Sequence, residues 1–279
     1  MVFVDALLQH EFLQLALVGG LLASVGCGLI GPYVVVKRIG YMAGGIAHCV
    51  LGGMGLAYYL GYPPLNGALA AAVLAALAIG WISLRWRQHE DMAIGALWAC
   101  GMAAGIVLLA RTPGYTVDLL GYLFGNILLV SPHELWFMLG LDVVLVLLIG
   151  VFYRQFLAVC FDEEFARLRG VRATFFYLLL LVMVALTVVL LLQVVGLILV
   201  IALISLPAAI AGQWVRSLAA MMLLSALVGV VVTTGGLALS YGPDLPSGAV
   251  MVLLSGALFL LSSLCRGLWR RRRPAAALR

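Results

Sequence analysis

Apolar runs of roughly twenty residues recur along almost the whole chain, separated by short polar or basic pieces. A bilayer core about 30 Å thick needs about 20 apolar residues per helix. The pattern therefore predicts about nine spanning helices, near 12–35, 42–60, 66–85, 92–111, 134–155, 173–192, 196–213, 217–240 and 247–265. The runs do not alternate apolar with polar, which excludes a lipid-spanning barrel. A shorter apolar piece, 118–130, cannot span and predicts a re-entrant or interfacial helix. Small residues four apart, at Gly20, Ser24 and Gly28, at Gly101 and Gly105, and at Gly121 and Gly125, predict close helix contacts. Pro207 lies inside an apolar run, where it kinks a helix and frees a carbonyl.

The basic residues orient this map. Lys37 and Arg38, Arg85 and Arg87, Arg154 to Arg172, Arg216, and the cluster Arg270 to Arg273 fall after every second span. On the positive-inside rule those loops are cytoplasmic, with the N-terminus outside and the C-terminus inside. The reading is one helical membrane domain, 1–265, and a basic cytoplasmic tail, 266–279, that contacts anionic headgroups. Hydrophobic residues make up 65% of the chain and charged residues 10%, with mean hydropathy +1.20, a balance no soluble domain of this size tolerates. The net charge of +5 follows from topology and implies no nucleic-acid partner, since no soluble module accompanies it. The cysteines, at 27, 49, 100, 160 and 265, form no C-x-x-C pair, so neither a disulfide framework nor a structural zinc site is expected. The N-terminus carries Asp5 and Glu11 and lacks a basic stretch, unlike a cleaved signal peptide.

One histidine stands at membrane depth. His48 has Gly44, Gly45, Gly52 and Gly55 at offsets of one helical face, just after the basic hinge at Lys37 and Arg38. Either a neighbouring backbone packs against that face or a narrow path runs past the ring. Ionisable groups inside a bilayer are costly and mark a pathway, a site or a structural pair. Imidazole is also the commonest nitrogen ligand for transition metals. A second polar group, Asp162-Glu-Glu-Phe-Ala-Arg167, puts acids before arginines, as suits a short loop helix. Glu163 and Glu164 also raise the alternative of an intramembrane metalloprotease, but no second or third histidine faces them. Asp118, Asn126, His133 and Asp244 are polar groups of the outer side, each an ordinary interfacial residue or cap. With no P-loop in the chain, nucleotide hydrolysis must come from a separate chain.

Four segments carry a family resemblance when read in order. They are Gly31-Pro-Tyr-Val-Val-Val-Lys-Arg-Ile-Gly-Tyr41 through Ala47-His48, then Asp118-Leu-Leu-Gly-Tyr-Leu-Phe-Gly-Asn126. Val195 through Ala211 and Pro246 through Leu253 complete the set. Together they resemble the ABC-3 permeases, the membrane subunits of bacterial zinc and manganese ABC importers. The resemblance implies an all-α integral membrane fold similar to the vitamin B12 and siderophore permeases, in the inner membrane. It implies a non-catalytic subunit with a second permease, two cytoplasmic ATPase subunits and an extracytoplasmic metal-binding protein as partners. It implies that the transported divalent metal, not a resident cofactor, meets His48, with Asp118 as a weaker candidate ligand. Asp162, Glu163, Glu164, Arg167 and Gly170 resemble the coupling helix that docks on the ATPase. Gly44, Gly45, Gly52 and Pro207 are the gate and packing positions. Many family members carry an aspartate four residues before the histidine, and here that residue is Gly44. An imidazole without a nearby carboxylate favours zinc over manganese. A metal chelate, siderophore or cobalamin, is the alternative cargo.

Overall fold

The computed structural model describes residues 2–86, 89–112, 125, 127–196, 200–243 and 245–272. Asp118, Asn126 and Asp244, with most of the expected 118–130 helix, lie outside the described residues. All regular elements among the described residues are helical. In chain order they are α1 (Val2–Gln9), α2 (Glu11–Lys37), α3 (Gly40–Tyr59), α4 (Pro64–Arg85) and α5 (Glu90–Ala110). A 3₁₀ turn (Ile127–Leu129) precedes α6 (Pro132–Phe161), α7 (Glu163–Leu168), α8 (Ala173–Val195), α9 (Val200–Trp214), α10 (Leu218–Tyr241) and α11 (Ser247–Arg272).

Seven of these helices, α2, α4, α5, α6, α8, α10 and α11, are long and apolar enough to cross a membrane. That is slightly fewer than the eight or nine expected, for two physical reasons. The α3 helix has the length, but glycines and His48 dilute its apolar character. The α9 helix has 15 residues, about 22 Å at helical rise, which is short of the bilayer core. The expected 196–213 span thus begins at Val200 among the described residues. Pro207 is buried inside α9 and leaves its turn without one amide donor.

Helix α8 is the axis of the bundle. Leu180, Leu181, Val184, Val188, Val189, Leu191 and Val195 are buried on all sides of it. A helix apolar all round belongs in a core. Helix α2 packs beside it and lies closely against α10 through small residues. Ser24 Oγ shares a 3.1 Å hydrogen bond with Thr233 Oγ1, and a Cβ on Gly28 would meet the Ala226 backbone at 2.6 Å. Helix α6 shows the opposite character on its two faces. Met138, Leu141, Leu145, Ile149 and Phe156 are buried, while Val143, Val146, Leu147 and Val151 are exposed. Between residues 135 and 153 that exposed face carries no charged residue, so this stretch suits lipid, and Arg154 marks its end.

Helix α6 has 30 residues, about 45 Å, and departs from helical geometry at Phe152. Its last turns therefore run past the end of a roughly 30 Å core and deliver the chain to α7. This explains why the span predicted to end at 155 continues as helix to Phe161. At its start, Ser131 and Glu134 form a reciprocal capping box, with Ser131 N–H donating to Glu134 Oε2 at 2.7 Å.

Candidate functional site

Helix α3 is held between α4 and α5 by bare glycine contacts. A Cβ on Gly52 would meet the Gly101 carbonyl oxygen at 2.8 Å, and one on Gly55 would meet the Gly105 carbonyl oxygen at 2.7 Å. Real Cβ atoms do not come that close to backbone oxygens, so these positions require glycine for the approach itself. On the other side Gly53 meets Gly67 and Ala71 of α4. Of the two sequence readings of the glycine face, packing by neighbouring helices is the one the geometry displays.

His48 lies within this packing, 7% exposed. Its ring stacks on Trp98 of α5, with centroids 4.1 Å apart and planes 11° from parallel. Among the described residues its Nδ1 has no hydrogen-bond partner. A stacked neighbour covers the face of an imidazole but leaves its ring-plane lone pairs free, and metals bind at those lone pairs. Trp98 thus fixes the ring plane without occupying the coordinating direction. In turn, Tyr41 lies against Trp98 at 6.1 Å, and its hydroxyl donates to the Asp91 carbonyl at 3.3 Å.

Gly44, the position of the missing aspartate, is not open. A Cβ there would meet Ile201 Cδ1 of α9 at 2.8 Å and Trp98 Cζ3 at 3.4 Å. At Gly45 it would meet Ile94 Cγ2 at 2.6 Å. A side chain at Gly44 would therefore need the Ile201 Cδ1 methyl, the far end of a flexible side chain, to shift. Asp118, proposed from sequence as a second ligand, lies outside the described residues. Among those residues no group of three or more His, Cys, Asp or Glu side chains could hold a metal ion. His133 is exposed at the start of α6 and His10 caps α2, both away from His48.

The acidic segment folds as read. Asp162 Oδ1 accepts from Phe165 N–H at 2.9 Å and caps α7, whose first turn holds Glu163 and Glu164 and whose last holds Arg167. Glu163 Oε1 pairs with Arg167 Nη2 at 2.9 Å. Gly170 ends the segment at φ +78°, where a side chain would be strained. A six-residue helix with Glu163 taken up in ion pairs and Glu164 exposed offers no enclosed, water-excluded site, so the protease alternative falls. Sequence reasoning missed its apolar side: Phe161, Phe165 and Leu168 are exposed, Leu168 to 87%.

Two further residues escaped the sequence reading. Trp98 gave no sign, since only the folded pairing of α3 and α5 brings it to His48. Asp142 is the one acidic residue between 135 and 161. It is 4% exposed, and among the described residues neither carboxyl oxygen has a hydrogen-bond partner. It packs on Gly26 of α2, where a Cβ would meet Asp142 Oδ1 at 3.2 Å.

Comparison with known proteins places this architecture. Residues 9–266 match the ABC 3 transport family. An uncharacterized membrane protein of Synechocystis sp. is 47% identical, the match covering 91% of each chain. The manganese transport system membrane protein MntC of Halalkalibacterium halodurans is 38% identical over 93% of this chain and 89% of its own. The structure of PsaBC from Streptococcus pneumoniae in complex with Fab superposes with a TM-score of 0.86 at 33% identity, covering 94% of this chain and 95% of that one. The chain belongs to the ABC 3 transport family, as a multi-pass, non-catalytic membrane subunit whose ATPase is a separate chain.

Proposed function

We propose that this chain is the permease of an ATP-driven importer of divalent metal ions and that manganese is its cargo. The observation that carries the reading is the buried His48, its Nδ1 unpartnered, inside a subunit of this family. A relative 38% identical over 93% of the chain is named for manganese transport. The lean toward zinc, drawn from Gly44, finds no support among the relatives and is replaced by manganese. Nor is the absent carboxylate simply replaced by open space for a bulky chelate, because Ile201 and Trp98 fill it.

In this reading the working unit holds a second permease, two cytoplasmic ATPase subunits and an extracytoplasmic metal-binding protein. It sits in the bacterial inner membrane with Lys37, α7 and the C-terminus on the cytoplasmic side. The binding protein releases the ion toward the α3–α5 face. Movement of α5 or of the second permease uncovers His48, whose Nδ1 binds the ion weakly and lets it pass. Helix α7 docks on the ATPase through Phe165, Leu168 and Glu164.

The test is uptake of radioactive manganese into proteoliposomes that hold this chain, its ATPase and its binding protein. ATP-dependent accumulation, competed only weakly by zinc, is expected. Full competition by zinc, or ATP-driven uptake of zinc alone, would overturn the cargo assignment. No ATP-dependent uptake of either ion by a complex that hydrolyses ATP would overturn the importer of free ions.

A further inference from the structure

Where α2 meets α3 the chain turns within two residues. Arg38 adopts φ 59°, the one positive φ at a non-glycine residue among the described residues. Ile39 then caps α3, and Gly40 begins it. A left-handed arginine is an uncommon conformation that its surroundings must hold in place. The element it controls is the helix carrying His48, two turns further on.

Lys37, the last residue of α2, reaches away from this hinge to the corner between α6 and α7. Its Nζ donates to the Val159 carbonyl at 2.8 Å, one of the carbonyls left over at the end of α6. The same Nζ lies 3.7 Å from Glu163 Oε2 and 5.7 Å from the centre of the Tyr177 ring. The Lys37 and Glu163 side chains are only 17% and 20% exposed, so the pair is better shielded than an ordinary surface bridge. Beside it lies a cavity of about 430 Å³, lined in part by Arg38, Met42, Ser83 and Glu90. Tyr177 hydroxyl lies within hydrogen-bond reach of Met42 Sδ of α3, at 3.3 Å, and of Ser83 Oγ, at 3.1 Å, and its one proton serves either acceptor. One ammonium group thus joins the end of α6, the first residue of α7 and the hinge before α3, next to empty space into which they can move.

We propose that Lys37 is the positioning residue that transmits displacement of α7 to the His48 helix. The inference rests on the importer reading above, in which α7 docks on the ATPase. A shift of α7 carries Glu163 and Val159 with it, draws on Lys37, and changes the backbone angles at Arg38. Helix α3 then rotates, and His48 turns with it relative to Trp98. Arg38 is the two-state element such coupling needs, because its left-handed conformation has an ordinary right-handed alternative.

The test compares wild type, Lys37→Met, Lys37→Arg and Glu163→Gln in the complete reconstituted importer, measuring ATP hydrolysed per manganese ion imported. Lys37→Met keeps the aliphatic stem and removes the charge and the donor. It is expected to go on hydrolysing ATP while importing about tenfold less metal per ATP. Lys37→Arg, which retains a charged donor, is expected to recover most of the loss. If Lys37→Met does not assemble with the ATPase, Glu163→Gln decides. It leaves the bond to Val159 intact and is expected to lower import per ATP by about threefold. A wild-type ratio of ATP to metal in Lys37→Met, or in Glu163→Gln where the first variant does not assemble, overturns the inference. Absence of manganese uptake by wild type instead overturns the importer reading beneath it, so the two failures are distinguishable.

Discussion

His48 and Asp142 share a description and differ in surroundings. Both are ionisable, both are more than nine-tenths buried, and both keep polar atoms without a hydrogen-bond partner among the described residues. His48 lies beneath α5, a peripheral helix with much of its surface exposed, and its ring plane is held by Trp98. Asp142 points from α6 to Gly26 of α2, where Thr187 and Leu190 of α8 also approach. The first can be reached by moving one outer helix or one indole. The second can be reached by lifting α6 away from α2 and α8. Burial of an ionisable group in a bilayer raises a functional question. The cost of exposing the group is what separates the two answers.

The largest effect is expected at His48 itself. His48→Ala should remove ATP-driven manganese uptake while leaving the protein folded, as size-exclusion and ATPase assembly would report. Retained uptake would make the imidazole a packing residue. Trp98→Ala should come next, because the ring then loses the surface that fixes its plane. Residues that orient a metal ligand are worth about tenfold to a hundredfold in affinity. The half-saturating manganese concentration should rise by about tenfold with the maximal rate little changed, and Trp98→Phe should restore most of it. A fall in maximal rate alone would assign Trp98 to the gate rather than to the ligand.

A smaller effect is expected at Gly44. Gly44→Asp makes the Ile201 Cδ1 methyl, the movable end of a half-buried side chain, shift and should cost about 1 kcal/mol. Combining it with Ile201→Ala should recover stability and tighten manganese binding. If Gly44→Asp alone tightens binding at no cost in thermal stability, the packing argument fails. The smallest effect, and of opposite sign, is expected at Asp142. Replacing an unpaired buried carboxyl by an apolar group of similar size removes a desolvation penalty. Asp142→Leu should therefore stabilise the protein, by about 1 kcal/mol, in thermal unfolding. Destabilisation would show that Asp142 has a partner in the assembled complex.

Much of this was legible in the chain. The α4 helix was expected from 66 to 85 and runs from Pro64 to Arg85, because its apolar run is long and bounded by Pro63 and Trp86. The acidic segment announced α7 through Asp162 and the order of its charges. His48 was visible because one polar residue in an apolar glycine face needs no alignment to notice. Asp142 carried the same signal and was passed over, its span being otherwise a uniform apolar run. Other features were not legible. Trp98 meets His48 only through the fold, since fifty residues separate them in sequence. The filling of Gly44 by Ile201 depends on the packing of α9, and the reach of Lys37 to Val159 spans 122 residues. Side-chain pairing across helices leaves no periodicity to read.

The decisive measurement is the manganese uptake rate as a function of metal concentration for His48→Ala and Asp142→Asn side by side in the reconstituted importer. The account predicts that His48→Ala abolishes saturable uptake and that Asp142→Asn follows the wild-type curve. Wild-type uptake by His48→Ala together with loss in Asp142→Asn would contradict it and move the metal path to the centre of the bundle.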